Sequence, residues 1–204
     1  FLVDEGLGKE IVFYGRPQKD YPNRAAAWIE DLKANSTRRP RLVGTNKVED
    51  MAGLDVIFVG VGVPRKEGQS RRDLLRVNTE IIAQTSLEIR RLYGGCDPEK
   101  LPVLIYMGNP VTTMTWVGYK ASGFPRQKVM GQAGNLDARR VCYALAKELG
   151  ISGNEMRGIV FGDHGDSMVV SPRFFSVGGI PLDLLLEIKG VAPSRLTEIL
   201  EQAK

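Results

Sequence analysis

Three short apolar runs constrain this chain more than any other feature: KEIVFYG at 9–15, DVIFVG at 55–60 and LPVLIYM at 101–107. Each is stopped by glycine or a turn residue, and runs this short and apolar read as buried strands. Between the second and third lies a helix. Ser70 and Asp73 make a capping pair, Leu74, Val77 and Ile81 recur at helical spacing, and Gly94-Gly95 ends it. Strand–helix alternation of this kind predicts βαβ units and a parallel sheet, hence an α/β fold. A further helix is predicted over about 136–149, with Val141, Leu145 and Leu149 on one face, followed by the apolar runs GIVFG and MVV.

Composition narrows the classes. A length of 204 residues suits one large domain or two small ones, and 43% apolar with 25% charged residues is ordinary for a soluble globular chain. No apolar run approaches the roughly 18 residues of a spanning helix, so no membrane partner is expected. Cys96 and Cys142 form neither a metal-ligand spacing nor a disulfide framework, and Cys142 suits a small buried hydrophobe in the predicted helix. No metal is expected, and a reducing cytoplasm is the default compartment. The net charge is +4, with Arg65, Lys66, Arg71 and Arg72 crowded into one stretch. Clustered basic residues serve phosphates, carboxylates or nucleic acid. No aromatic residue interleaves with these, which favours small anions over a base-stacking surface and argues against a nucleic-acid partner.

Four constellations carry chemistry. His164 is the only histidine and lies in GDHGDSM, after the apolar stretch 159–161, where a strand end would hold its ring on a sharp turn. Its near-neutral intrinsic pKa suits it to give and take a proton; the alternative is a ring that only bonds loop backbone. Asp137 opens the predicted helix, with Arg140 three residues later. They suit either an orienting carboxylate and an anion clamp or a plain surface ion pair. In VPRKEGQSRRDLL, Arg65 and Arg71 bracket a turn between a strand and a helix, at the sheet edge where ligands of open α/β sheets bind. Gly62 and Gly68 would let that loop hinge, and a solvated basic loop is the alternative. Asn109 in MGNP falls at the same sheet edge, as a ligand contact or simply a turn former.

Together and in this order, the motifs RKEGQSR, NPVTTMTW, SGFPRQKVMGQAGNLDARR, GDHGDSM and SVGGIPL resemble the lactate/malate dehydrogenase family over nearly the whole chain. The resemblance implies a Rossmann-like doubly wound parallel sheet followed by the start of an α+β catalytic domain, divided into 1–131 and 132–204. It implies hydride exchange between a 2-hydroxy acid and a nicotinamide cofactor, with His164 as acid/base and Asp137 as its partner. Arg71 would polarise the substrate carbonyl, Arg140 clamp its carboxylate, and Asn109 bond the reacting oxygen. An arginine at position 65 implies a dicarboxylate, malate or oxaloacetate, rather than the pyruvate-sized acids of the lactate branch. Gly15, Arg16, Gly60, Gly62, Asn78, Met107 and Asn109 are the implied cofactor contacts. Gly15-Arg16 replaces the acidic residue that binds ribose hydroxyls in common NAD enzymes, is similar to a pair in archaeal-type malate enzymes, and favours NADP over NAD. Gln69, Thr112 and Ala138 depart from the usual methionine, aspartate and serine. The family commonly forms homodimers or homotetramers.

The family's glycine-rich pyrophosphate loop and the strand before it would precede KEIVFYG, and 1–7 resembles only the end of the helix that follows them. The chain is therefore expected to be a central piece of a longer protein. Since the first strand of a doubly wound sheet is central, its loss is expected to open the ladder and leave the isolated piece poorly folded and inactive.

Overall fold

A computed structural model describes residues 8–16, 24–35, 40–64, 68, 70–163 and 167–203, with Arg24, Asn35, Arg71 and Ala203 described as backbone only. In the first half, β1 (Glu10–Tyr14), α1 (Arg24–Asn35) and β2 (Arg41–Thr45) form a βαβ unit whose strands pair in parallel from Glu10↔Arg41 to Tyr14↔Thr45. There follow β3 (Val56–Val59), α2 (Arg71–Leu92), β4 (Val103–Tyr106), α3 (Val111–Ser122) and β5 (Val129–Gly131), with the three strands parallel in the order β3-β4-β5. Among the described residues no ladder joins β1 to β3, and the parallel strands stand as two sheets.

The predicted helix over 70–92 forms with the predicted cap: Ser70 Oγ accepts from the Asp73 N–H at 3.1 Å. Its fully buried side is one position off the expected stripe. Ile82 and Ile89 are sealed against Leu104, Tyr106 and Met114, whereas Leu74, Val77 and Ile81 are half-buried. The expectation that all three strands are buried also needs correction. On β3, Ile57 and Val59 face the core, but Val56 and Phe58 are 42% and 47% exposed. Alternation of this kind means that one face of the strand is covered and the other is open.

The second half begins with α4 (Gly134–Leu149), starting two residues before the predicted position, then β6 (Met156–Gly158), β7 (Phe175–Val177) and β8 (Ile180–Pro181) in an antiparallel sheet. Helices α5 (Leu182–Ile188) and α6 (Pro193–Ala203) follow. Val141, Cys142, Leu145 and Leu149 are buried against Met156, Phe175, Leu182 and Ile199, a cluster separate from that under β3 and β4. Arg195 on α6 grips both oxygens of Glu148 on α4 at 2.8 Å, and this guanidinium holds the Glu148 carboxyl below its usual range. No helix among the described residues is long and apolar enough to cross a membrane.

Candidate active site

The stretch before His164 is not the strand end expected from its apolarity. β6 stops at Gly158, where the Phe175 ring lies 2.0 Å from the point a Cβ would occupy. Ile159 and Phe161 are largely exposed. Phe161 instead makes a single antiparallel bridge with Val169, their N–H groups exchanging bonds of 3.0 and 2.8 Å. The bridge closes the base of segment 162–168. Gly162, with φ of +89°, supplies the left-handed turn that leads into it. Asp163 accepts from the Thr112 hydroxyl across 51 positions and, at 3.5 Å, from Ser167 Oγ. Thus the segment holding His164 is tied at its base and also to the first turn of α3. His164 itself, with 165–166, lies outside the described residues, as do Arg65 and Gln69.

Asp137 is in the first turn of α4, where the positive end of the helix dipole favours a carboxylate. Only 5% of it is exposed, and its Oδ1 lies 3.5 Å from Nη1 of Arg140, whose side chain is 55% exposed. A cavity of about 520 Å³ opens beside it, lined also by Thr112, Gln132, Phe161, Gly162 and Asp163. The fold therefore brings Asp137 to the same cavity as the stem of the His164 segment, although 26 positions separate Asp137 from Asp163. Ala138 is buried behind it.

The predicted ligand contacts of the parallel sheets occupy strand ends. Gly15 follows β1 and its N–H donates to Thr45 O at 3.0 Å; Gly60 and Gly62 follow β3; Met107 and Asn109 follow β4 and are exposed. No heavy atom lies within 4 Å of where a Gly60 Cβ would stand, and at Gly108 that point is 3.1 Å from Val61 O. Arg71 is the first residue of α2. Asn78, on the same helix, is 4% exposed and bonds the backbone of Val63 and Asn109. Arg16 is partly exposed but already engaged. Its Nη2 donates at 3.1 Å to both Thr85 Oγ1 and Glu88 Oε2 on α2. Sequence reasoning missed Glu88, Thr85 and Asp163. Of their partners, Arg16 had been singled out as a cofactor contact and Thr112 as a departure from a family pattern.

A family model described as lactate/malate dehydrogenase, NAD binding domain, matches residues 1–131. A malate dehydrogenase of Bacillus licheniformis is 36% identical over 188 residues, covering 91% of this chain and 58% of that protein. The Aeropyrum pernix malate dehydrogenase is 39% identical over 146 residues, covering 72% of this chain and 46% of its own length. Among solved structures, the malate dehydrogenase of Plasmodium falciparum superposes with a TM-score of 0.80 at 31% identity, covering 99% of this chain and 62% of that one. The chain thus spans about three-fifths of the length of the Bacillus and Plasmodium relatives.

Proposed function

Since the chain belongs to the lactate/malate dehydrogenase family, we propose that the full-length protein interconverts malate and oxaloacetate with a nicotinamide cofactor. The supporting observation is the buried carboxylate of Asp137 on a cavity shared with the stem of the His164 segment. An acid/base histidine needs such a carboxylate to fix its tautomer and to stabilise the imidazolium while the proton is held. His164 would exchange that proton with the substrate oxygen. Arg140, half-exposed beside Asp137, would take the C1 carboxylate with its two-donor fork, while Arg71 and Asn109 would address the carbonyl oxygen as charge develops there. In this reading, 1–131 is the nucleotide half and 132–204 opens the catalytic half.

The strand ends suit a dinucleotide. Gly60 has open space beside it, so the backbone can approach a ligand closely, and Met107 offers an exposed apolar surface for a flat ring. When bound, the cofactor supplies or accepts the hydride at C2 of the acid. Arg16 supports NADP, with its guanidinium meeting a 2′-phosphate. Its engagement by Glu88 favours a second reading, NAD, with Arg16 tying the end of β1 to α2. Arg16→Gln separates them. Under the NADP reading, the NADPH dissociation constant, read by fluorescence titration, rises about tenfold or more while that of NADH holds. An unchanged NADPH/NADH ratio with a lowered unfolding midpoint selects the NAD reading.

Substrate choice is assigned to Arg65. With a pyruvate-sized acid, this guanidinium would lack a carboxylate partner in a desolvated site, which discriminates against that acid. The full-length protein is expected to reduce oxaloacetate well above pyruvate, and Arg65→Gln to shift the ratio of kcat/KM values toward pyruvate by about 100-fold. Steady-state kinetics with both acids decide this. An unshifted ratio removes Arg65 from the role, and a native preference for pyruvate selects the lactate branch. The 204-residue stretch alone, in which no ladder joins β1 to β3 among the described residues, is expected to be inactive and serves as the control. We place the enzyme in the cytoplasm as a homodimer or homotetramer; free Cys96 and Cys142 suit a reducing compartment.

A further inference from the structure

The cavity beside Asp137 is lined from both halves of the chain. Thr112 comes from the first turn of α3, three residues after Asn109, and Asp163 from the segment that follows β6. The Thr112 hydroxyl donates to Asp163 Oδ1. A hydroxyl carries one proton and a carboxylate can only accept, so the direction of this bond is fixed. The other Asp163 oxygen accepts from Ser167 Oγ at 3.5 Å. One carboxylate therefore reaches both α3 and the far side of its own segment.

The ends of that segment are anchored by other means. Phe161 and Val169 exchange backbone bonds of 3.0 and 2.8 Å, and Met168 is buried. Between these anchors, Gly162 takes a left-handed φ of +89°, and Asp163 and Ser167 are exposed. A stretch with few buried contacts opens easily unless a bond ties it to something rigid. Here the rigid element is α3. The start of α4, which carries Asp137, is placed independently. The Gln132 N–H donates to Tyr106 O at 2.9 Å, a Cβ on Gly131 would stand 2.8 Å from Val111 Cγ1, and one on Gly134 3.4 Å from Val160 O. None of these contacts uses the Thr112 hydroxyl.

We propose that Thr112 is a positioning residue: by tying Asp163 to α3, its hydroxyl fixes where the chain enters His164 relative to Asn109. Consecutive Cα atoms lie about 3.8 Å apart, so holding Asp163 bounds where the next residue, His164, can start. Asn109 stands three residues from Thr112 on the other side of the bond. A proton-transfer group and an oxygen-binding group must keep their mutual spacing for turnover, because a shift of about 1 Å can cost about 100-fold. The effect on turnover rests on the dehydrogenase reading; the effect on the segment does not.

Thr112→Val keeps the side-chain shape and removes the hydroxyl, whereas Thr112→Ser keeps the hydroxyl. Both are made in the full-length protein, and since Thr112 is exposed, neither should disturb the core. In Thr112→Val, hydrogen exchange in peptides spanning 159–170 is expected to accelerate about tenfold, with 131–136 unchanged. kcat for oxaloacetate is expected to fall about 10- to 30-fold, with KM and the NADH and NADPH dissociation constants within about threefold. Thr112→Ser should bring both exchange and kcat back to within about threefold of the unaltered protein. Unchanged exchange at 159–170 overturns the proposal, as does faster exchange at unchanged kcat. Equal losses in the two variants also overturn it, since the hydroxyl would then be irrelevant. So does a loss carried by KM or by a cofactor dissociation constant, because Thr112 would then touch a ligand. If Thr112→Val fails to fold, Thr112→Ala is measured against Thr112→Ser by the same criteria. Absence of any malate or oxaloacetate turnover in the unaltered protein would defeat the dehydrogenase reading, leaving exchange to decide on the Thr112–Asp163 tie.

Discussion

Asp137→Asn is expected to lower kcat for oxaloacetate reduction by about 1000-fold, equivalent to about 4 kcal/mol of transition-state stabilisation. The size follows from what the change removes. The amide has almost the shape of the carboxylate, so packing around a residue 5% exposed is retained. Its charge is lost, and its nitrogen can present a donor where the histidine needs an acceptor, which stabilises the wrong tautomer. Without the anion the imidazolium is less favoured, which adds to the loss. Arg140 allows a competing outcome, because its Nη1 lies 3.5 Å from the same carboxylate. If Asp137 serves only to aim Arg140 at the substrate, KM rises and kcat stays within about threefold. Steady-state kinetics across pH distinguish the two, and the second outcome would remove Asp137 from the acid/base pair.

What the sequence made legible was local. The cap of α2 depends on Ser70 and Asp73, three residues apart, and the Asp137–Arg140 pair on one turn of α4. Apolar stripes placed α4 and the cores of β1, β3 and β4 to within a few residues. Long-range partners left no such trace. The Arg16–Glu88 and Thr112–Asp163 contacts join residues 72 and 51 positions apart, and nothing near either member specifies the other. Apolarity also misled where the neighbour matters more than the residue. The run Ile159–Phe161 has strand composition, but Gly158 is taken up by the Phe175 ring and the ladder stops there. Val56 and Phe58 read as buried, yet their face of β3 is open because burial depends on what lies across it. The candidate site could thus be proposed as a set of residue types in order, while the contacts around Asp163 and Arg16 could not.

Gly118→Ala reverses the usual sign of a helix substitution. In a helix interior, alanine is normally favoured over glycine by about 1 kcal/mol. Gly118 lies within α3, packed on β4, and an added Cβ would stand 2.1 Å from Tyr106 Cζ and 2.5 Å from its hydroxyl oxygen. The ring cannot simply swing away. Tyr106 is fully buried, its hydroxyl is 2.8 Å from the buried Ser86 Oγ, and that Oγ donates to Ile82 O at 2.7 Å. Burial also pushes the Tyr106 hydroxyl above its usual pKa, so ionisation offers no escape near neutral pH. Overpacking costs about 1–3 kcal/mol, and stranding the buried hydroxyl about 1–3 kcal/mol more. After the helix gain, the net expectation is a loss of about 1–5 kcal/mol, set against the 5–15 kcal/mol typical of a domain. The urea midpoint of the full-length protein should fall accordingly, and a midpoint unchanged or raised would show that the α3–β4 contact yields freely. Tyr106→Leu supplies the internal check. Added to Gly118→Ala, it removes the ring, and the double variant should lose less stability than the sum of the two single changes. Because Tyr106 is the last residue of β4, three positions before Asn109, relief of this clash should also restore the turn that the proposed site depends on.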